Sequence, residues 1–226
     1  MRLSFVSLGP GDFELMSIKA LKALQNSAVI CVPTKSSDKS FEKSLTHKIV
    51  KDAMKAFNFD KPIVAIYAPM HFKQEDWKAQ VELLVENLEN HEDVCFVTLG
   101  DSAVYSSVYY LLDVIQKEYP AIYEKSEVIA GITSFSQASA LSKKPLCLGD
   151  SKLQIIPLLD KEVPTTTIYM RPKIGLDTKE IEEKGELYTY ENLNFENQKI
   201  YPYKKAKVEK YMTLFIDFSA KTIDKS

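Results

Sequence analysis

A chain of 226 residues, 45% hydrophobic and 27% charged, is long enough to bury one large core or two small ones and has the composition of a soluble globular protein. With 29 basic against 31 acidic side chains, no charge excess recommends nucleic acid as a partner. No apolar run approaches the roughly 18 residues of a membrane span.

Taken in chain order, "RLSFVSL" reads as a strand that breaks at Gly9, too short for the apolar core of a signal peptide, so the chain is expected to be cytoplasmic. Ser17 is placed to cap a helix beginning at Ile18. Further strands are expected at "AVICVP", "PIVAIYAP", "DVCFVTLG" and "EVIAG", with helical periodicity between them at "SFEKSLTHKIVKDAMKAF", "KQEDWKAQVELLVENLENH" and "SSVYYLLDVIQKEY". Alternation of this kind argues α/β. A helix-like "SFSQASALS" follows Gly131. Beyond residue 150 the pattern changes to closely spaced strands, "LQIIPLL", "TTTIYM", "ELYTYENL" and "YMTLFIDF", which suggests a second, more antiparallel domain. The polar, proline-containing "QKEYPAIYEKSE" is the expected joint, giving an N-terminal α/β domain over 1–119 and a C-terminal one over 120–226. Residues 172–186 read as a loop with at most a short helix.

Cys31, Cys95 and Cys147 form no CxxC pair, and His47, His71 and His91 show no ligand spacing, so no metal site is expected. The basic residues are nearly all lysines, with Arg2 and Arg171 the only arginines, so forked anion clamps are scarce.

The candidate chemistry lies in three loops. In "SLGPGDFELMS", Gly9 and Gly11 stand between a strand and a helix, where glycine permits close backbone approach. A dinucleotide fingerprint would need a third glycine where Glu14 stands and an acid after the next strand, but that strand ends "VICVPTKS". The dinucleotide reading and the common Rossmann-type methyltransferase reading both lose ground. The loops "TLGDSAVYSS" and "IAGITSFSQ" repeat the arrangement of buried strand, glycine turn and helix. Three ligand-permissive loops at strand ends favour a site in the crevice of an open sheet.

Read in order, "VSLGPGDFELMSIKALKAL", "LGDSAVYSSVYYLL" and "IAGITSFSQASA" resemble the three signature segments of the tetrapyrrole methylase family. Within it, "IVAIYAPMHFKQEDW" and "SFSQASALSKKPLCLGDSKLQIIPLL", with Pro69-Met70, Val104-Tyr105-Ser106 and Gly149-Asp150, are similar to the branch that methylates C20 of precorrin-2. The resemblance implies an S-adenosylmethionine-dependent C-methyltransferase of corrin (cobalamin) biosynthesis, acting on precorrin-2 or cobalt-precorrin-2. It implies a homodimer of two α/β domains with mixed five-stranded sheets and the donor in the interdomain cleft.

By the same resemblance Pro10, Leu99, Gly100, Asp101 and Val104 line the donor from the first domain, and Thr133, Ser134, Met170 and Met212 from the second. For Asp101 the alternative is a turn-forming role. Tyr105, Ser106 and Arg171 are the substrate-side candidates; Lys35 and Lys73 join Arg171 as candidates to rim a cleft for a carboxylate-rich ring. Two departures stand out: Ser102 and Ala130 occupy positions where the family usually has proline. The stretch "LDTKEIEEKG" is also shorter than the helix expected there, so the second domain is trimmed. Another acceptor, or a non-catalytic binder of donor or tetrapyrrole, are the competing readings.

Overall fold

The structure is a computed structural model, and it describes residues 1–42, 44–69, 71, 73–149, 151–155, 165–170, 172–193 and 195–218. The chain divides into two compact units, Met1–Leu153 and Gln154–Ser226.

The first unit is built on five parallel strands: β1 (Arg2–Ser7), β2 (Val29–Thr34), β3 (Ile63–Tyr67), β4 (Asp93–Thr98) and β5 (Glu127–Ile129), in the order β3-β2-β4-β1-β5. Their near-continuous apolar runs follow from burial on both faces. Leu3, Phe5, Val29, Cys31 and Phe96 face one side, against α3 (Gln74–His91) and α4 (Val108–Glu118). Val6, Leu8, Ile30, Val32 and Val97 face the other, against α1 (Ile18–Asn26) and α2 (Leu45–Ala56).

On the α1/α2 face, both helices begin where a serine side chain satisfies a free N–H group. Ser17 Oγ accepts from Ala20 N at 3.1 Å and starts α1, as its position in the sequence suggests. Ser44 Oγ accepts from His47 N at 3.3 Å and starts α2. In α3, Trp77, Val81, Leu84, Val85 and Leu88 repeat at helical spacing and form its buried stripe. A one-turn α5 (Pro120–Tyr123) and then β5 lead to α6 (Ser134–Ser142).

Among its described residues the second unit has four antiparallel strands, β6 (Thr167–Tyr169), β7 (Glu186–Glu191), β8 (Lys199–Tyr201) and β9 (Thr213–Phe218), in the order β6-β9-β7-β8. Among the described residues its core is Ile181, Leu187, Val208 and Phe215, with Tyr169 packed against it. Buried Glu191 is held by Lys205 at 2.9 Å, which also reaches Glu209 at 2.8 Å.

The α/β class and the antiparallel character of the second part agree with the sequence reading. Three expectations change. The boundary near residue 120 moves to between Leu153 and Gln154, because β5 returns to pair with β1 and completes the first sheet. The sheets are not mixed: the first is wholly parallel, and the second is four-stranded and antiparallel among the described residues. The strand β8 has no counterpart in the sequence reading. The expected strand "LQIIPLL" falls mostly outside the described residues, and its first three, Leu153–Ile155, are not in a strand. Between β6 and β7 there is one turn of 3-10 helix, Thr178–Glu180, as a short loop segment allows. Among the described residues no helix is long and apolar enough to cross a membrane.

Candidate functional site

The three glycine loops leave the carboxyl ends of β1, β4 and β5, which are neighbours in the sheet. Ser7 lies opposite Thr98, and Val6 opposite Ile129. Parallel strands put all their carboxyl ends on one edge, where open α/β sheets bind ligands. Far apart in sequence, the loops meet there.

Gly9 and Gly100 join the first two loops by reciprocal backbone bonds: Gly9 N donates to Gly100 O at 3.1 Å and Gly100 N to Gly9 O at 2.7 Å. Both have positive φ, 78° and 71°, which explains the residue type at each. Ser102 N donates to the buried Ser7 Oγ at 2.9 Å. Asp101 reaches the third loop, its Oδ1 accepting from Ala103 N at 3.1 Å and from Gly131 N at 3.4 Å. Gly131 is there because nothing larger fits: a Cβ would lie 2.5 Å from Gly100 O and 2.6 Å from Ser7 Cβ. Thr133 then caps α6, its Oγ1 accepting from Ser136 N at 3.3 Å. A Cβ at Gly11 or Gly100 would meet no atom within 4 Å beyond the adjoining residues, so there is open space over these two, whereas one at Gly9 would meet Leu15 O at 2.9 Å.

Asp101 therefore does what its turn-forming alternative predicts, and more. Its carboxylate also holds a loop 30 residues away. Its charge reaches α4 as well: partial burial, and after it the Asp101 carboxylate, push the Tyr109 hydroxyl above its ordinary pKa.

A model of the family described as "Tetrapyrrole (Corrin/Porphyrin) Methylases" matches residues 2–206. The chain belongs to the tetrapyrrole methylases. It is 28% identical over 152 residues to the "Probable cobalt-precorrin-2 C(20)-methyltransferase" of Methanocaldococcus jannaschii, covering 67% of this chain and 62% of that protein. It is 27% identical over 161 residues to the cobalt-precorrin-2 C(20)-methyltransferase of Salmonella typhimurium, covering 69% and 62%. The alignments thus span 62% of the length of both relatives. Among solved structures, a cobalamin synthesis related protein from Corynebacterium diphtheriae aligns with TM-score 0.53 at 14% identity, covering 96% of this chain and 98% of that one. The cobalt precorrin-4 methyltransferase CbiF aligns with TM-score 0.51 at 14% identity, covering 95% and 93%. These likenesses establish the shared fold.

Of the residues that tetrapyrrole methylase resemblance singles out, the first unit brings together Pro10, Leu99, Gly100, Asp101 and Val104, and with them Thr133 and Ser134. The last two were expected in the second domain, but they follow β5 and so belong to the first unit. Met170 and Met212 lie in the second unit, at the same end of its sheet: one follows β6, and the other precedes the antiparallel β9. Both are exposed. Arg171, Met70 and Asp150 lie outside the described residues.

Tyr105 and Ser106 part company. Ser106 Oγ is 3.2 Å from Thr98 Oγ1 and accepts from Val108 N at 3.3 Å, tying it into the junction of β4 and α4. Tyr105 is 73% exposed and has φ 51°, a conformation unfavourable to a bulky residue. Lys35 and Lys73, both exposed, follow β2 and β3 and so lie on the same edge of the sheet. Sequence reasoning missed Ser7, whose signal, a serine ending a buried strand just before a glycine turn, is common to many strand ends.

Proposed function

We propose that this tetrapyrrole methylase transfers a methyl group from S-adenosylmethionine to C20 of precorrin-2 or cobalt-precorrin-2 in cobalamin biosynthesis, and works as a cytoplasmic homodimer. The observation that carries the reading is the convergence of the three glycine loops on one edge of the parallel sheet. The names of the two relatives supply the acceptor.

The chain's own residues fit the donor. Open space over Gly11 and Gly100 admits a ligand close to the backbone, and the Asp101 carboxylate suits a cationic one. S-adenosylmethionine supplies an electrophilic methyl group on a sulfonium. Methyl transfer asks mainly for alignment, which oriented binding can make worth several powers of ten. Leu99, Val104 and Pro10 offer apolar surface beside Gly100 and Asp101, and Thr133 and Ser134 of the third loop are assigned to the donor with them. Met170 and Met212 are assigned to the donor as well, from the second unit. Exposed Tyr105 is the better substrate-side candidate, since Ser106 is engaged within its own loop. Arg171 keeps its assignment to the acceptor. Lys35 and Lys73 sit where a carboxylate-rich ring would find single-point cationic contacts.

The test is incubation with S-adenosylmethionine and precorrin-2, metal-free or cobalt-loaded, followed by mass spectrometry. A gain of one methyl at C20 is expected. No gain on either substrate, with S-adenosylhomocysteine still bound, would replace the enzyme by a donor-binding protein or by one with another acceptor. Light scattering tests the dimer.

A further inference from the structure

We infer that Ser7 is a positioning residue for the donor site, acting through Ser102; the inference rests on the reading proposed above.

Val104 N donates to Asp101 O at 3.1 Å, closing a four-residue turn from Asp101 to Val104 with Ser102 as its second residue. That is the turn position where proline is favoured, because its ring presets φ and no N–H is left to satisfy. Serine offers neither advantage. Its amide N–H is buried, and Ser102 as a whole is 2% exposed, so the group needs an acceptor within the protein. The acceptor is the hydroxyl of Ser7, fully buried at the end of β1.

The same side chain underlies the third loop, since its Cβ is one of the two atoms that exclude any side chain at Gly131. Ser7 is thus in contact with both other loops. It holds the Asp101 turn by a hydrogen bond and supports Gly131 by packing. Gly131 in turn donates to Asp101, which closes the loop of contacts. A hydroxyl at position 7 supplies from outside the turn the restraint that a ring at position 102 would supply from within.

The interchange can be tested by calorimetric titration of S-adenosylhomocysteine into the full chain and by steady-state kinetics. Ser7→Ala leaves the Ser102 N–H orphaned and is expected to weaken binding about tenfold, the scale of an unsatisfied buried donor. KM for S-adenosylmethionine should rise similarly, while KM for the tetrapyrrole changes less than about twofold, a split that general loss of structure would not give. In Ser7→Ala/Ser102→Pro the orphan is gone and φ is preset, so affinity should return to within about threefold of wild type.

Equal affinity of Ser7→Ala and wild type would overturn the inference, as would a double variant no better than the single one. Where Ser7→Ala does not fold, the double variant decides: folding and binding support the inference, and failure to fold overturns it. A wild-type chain that binds no S-adenosylhomocysteine would instead remove the functional reading, and this role with it.

Discussion

Gly131→Ala adds one methyl group to the place where the three loops meet. The new Cβ would stand 2.5 Å from Gly100 O and 2.6 Å from Ser7 Cβ. Neither neighbour is the free end of a flexible side chain: one is backbone, and the other belongs to a fully buried residue. Reaching ordinary van der Waals contact requires the loops to part by roughly an ångström, a misplacement of the size that costs about 100-fold in a positioned reaction. Overpacking of this kind destabilises by about 2 kcal/mol, or roughly 4–8 °C in Tm for a unit of this size. Positive φ plays no part at Gly131, so the effect is steric. Thermal melting and S-adenosylhomocysteine titration on the same preparation measure both consequences. A variant that melts within a degree or so of wild type and binds with unchanged affinity would refute the close meeting of the loops.

Three further outcomes are expected. Asp101→Ala removes the acceptor for Ala103 and Gly131 N–H and should weaken S-adenosylhomocysteine at least about tenfold. Asp101→Asn keeps an acceptor but loses the charge, so it should recover the melting temperature but not the affinity for the cationic S-adenosylmethionine; recovery of both would assign Asp101 to the turn alone. Tyr105→Gly should leave stability within about 1 kcal/mol, because relief of the left-handed φ is offset by the greater freedom of the unfolded chain. Its kcat/KM should fall about tenfold, and an unchanged value would remove Tyr105 from the substrate side. Burial pushes the Cys31 thiol up to about 12 and Cys95 up to about 11, whereas Cys147 is exposed. Iodoacetamide at pH 8 should therefore label Cys147 alone, as peptide mass mapping would read. Both buried thiols keep their protons in the folded state to higher pH than in the unfolded one. Their contribution to stability is thus present below the ordinary thiol pKa and is lost as pH rises from 9.0 toward about 12.

Much of the first unit was legible because its signals are local. Buried parallel strands read as apolar runs, Trp77 to Leu88 repeat at helical spacing, and Ser17 announces the start of its helix. The misplaced boundary has a physical cause. "EYPAIY" looks like a linker, yet the three residues of β5 return across the unit to the edge of β1, and strand order is not a local property. The site was legible as three loops but not as one object. The Ser7 to Ser102 bond joins residues 95 positions apart, and the need for glycine at 131 lies in Gly100 and Ser7. Nor does Tyr105 carry the glycine or asparagine that usually marks a left-handed residue. In the second unit, β8 is three residues long, and an alternation needs more than that to stand out.

The third loop hangs from β5, a three-residue strand at the margin of the sheet, paired among the described residues on one side only. Marginal strands open more readily than interior ones. Each opening would withdraw Gly131 from Asp101 and dismantle the site, so a ligand that needs the assembled loops binds only the closed form and must slow amide exchange along β5 by mass action. Occupancy of the site could then be read from the deuterium uptake of Glu127–Ile129, residues that need not touch the ligand at all.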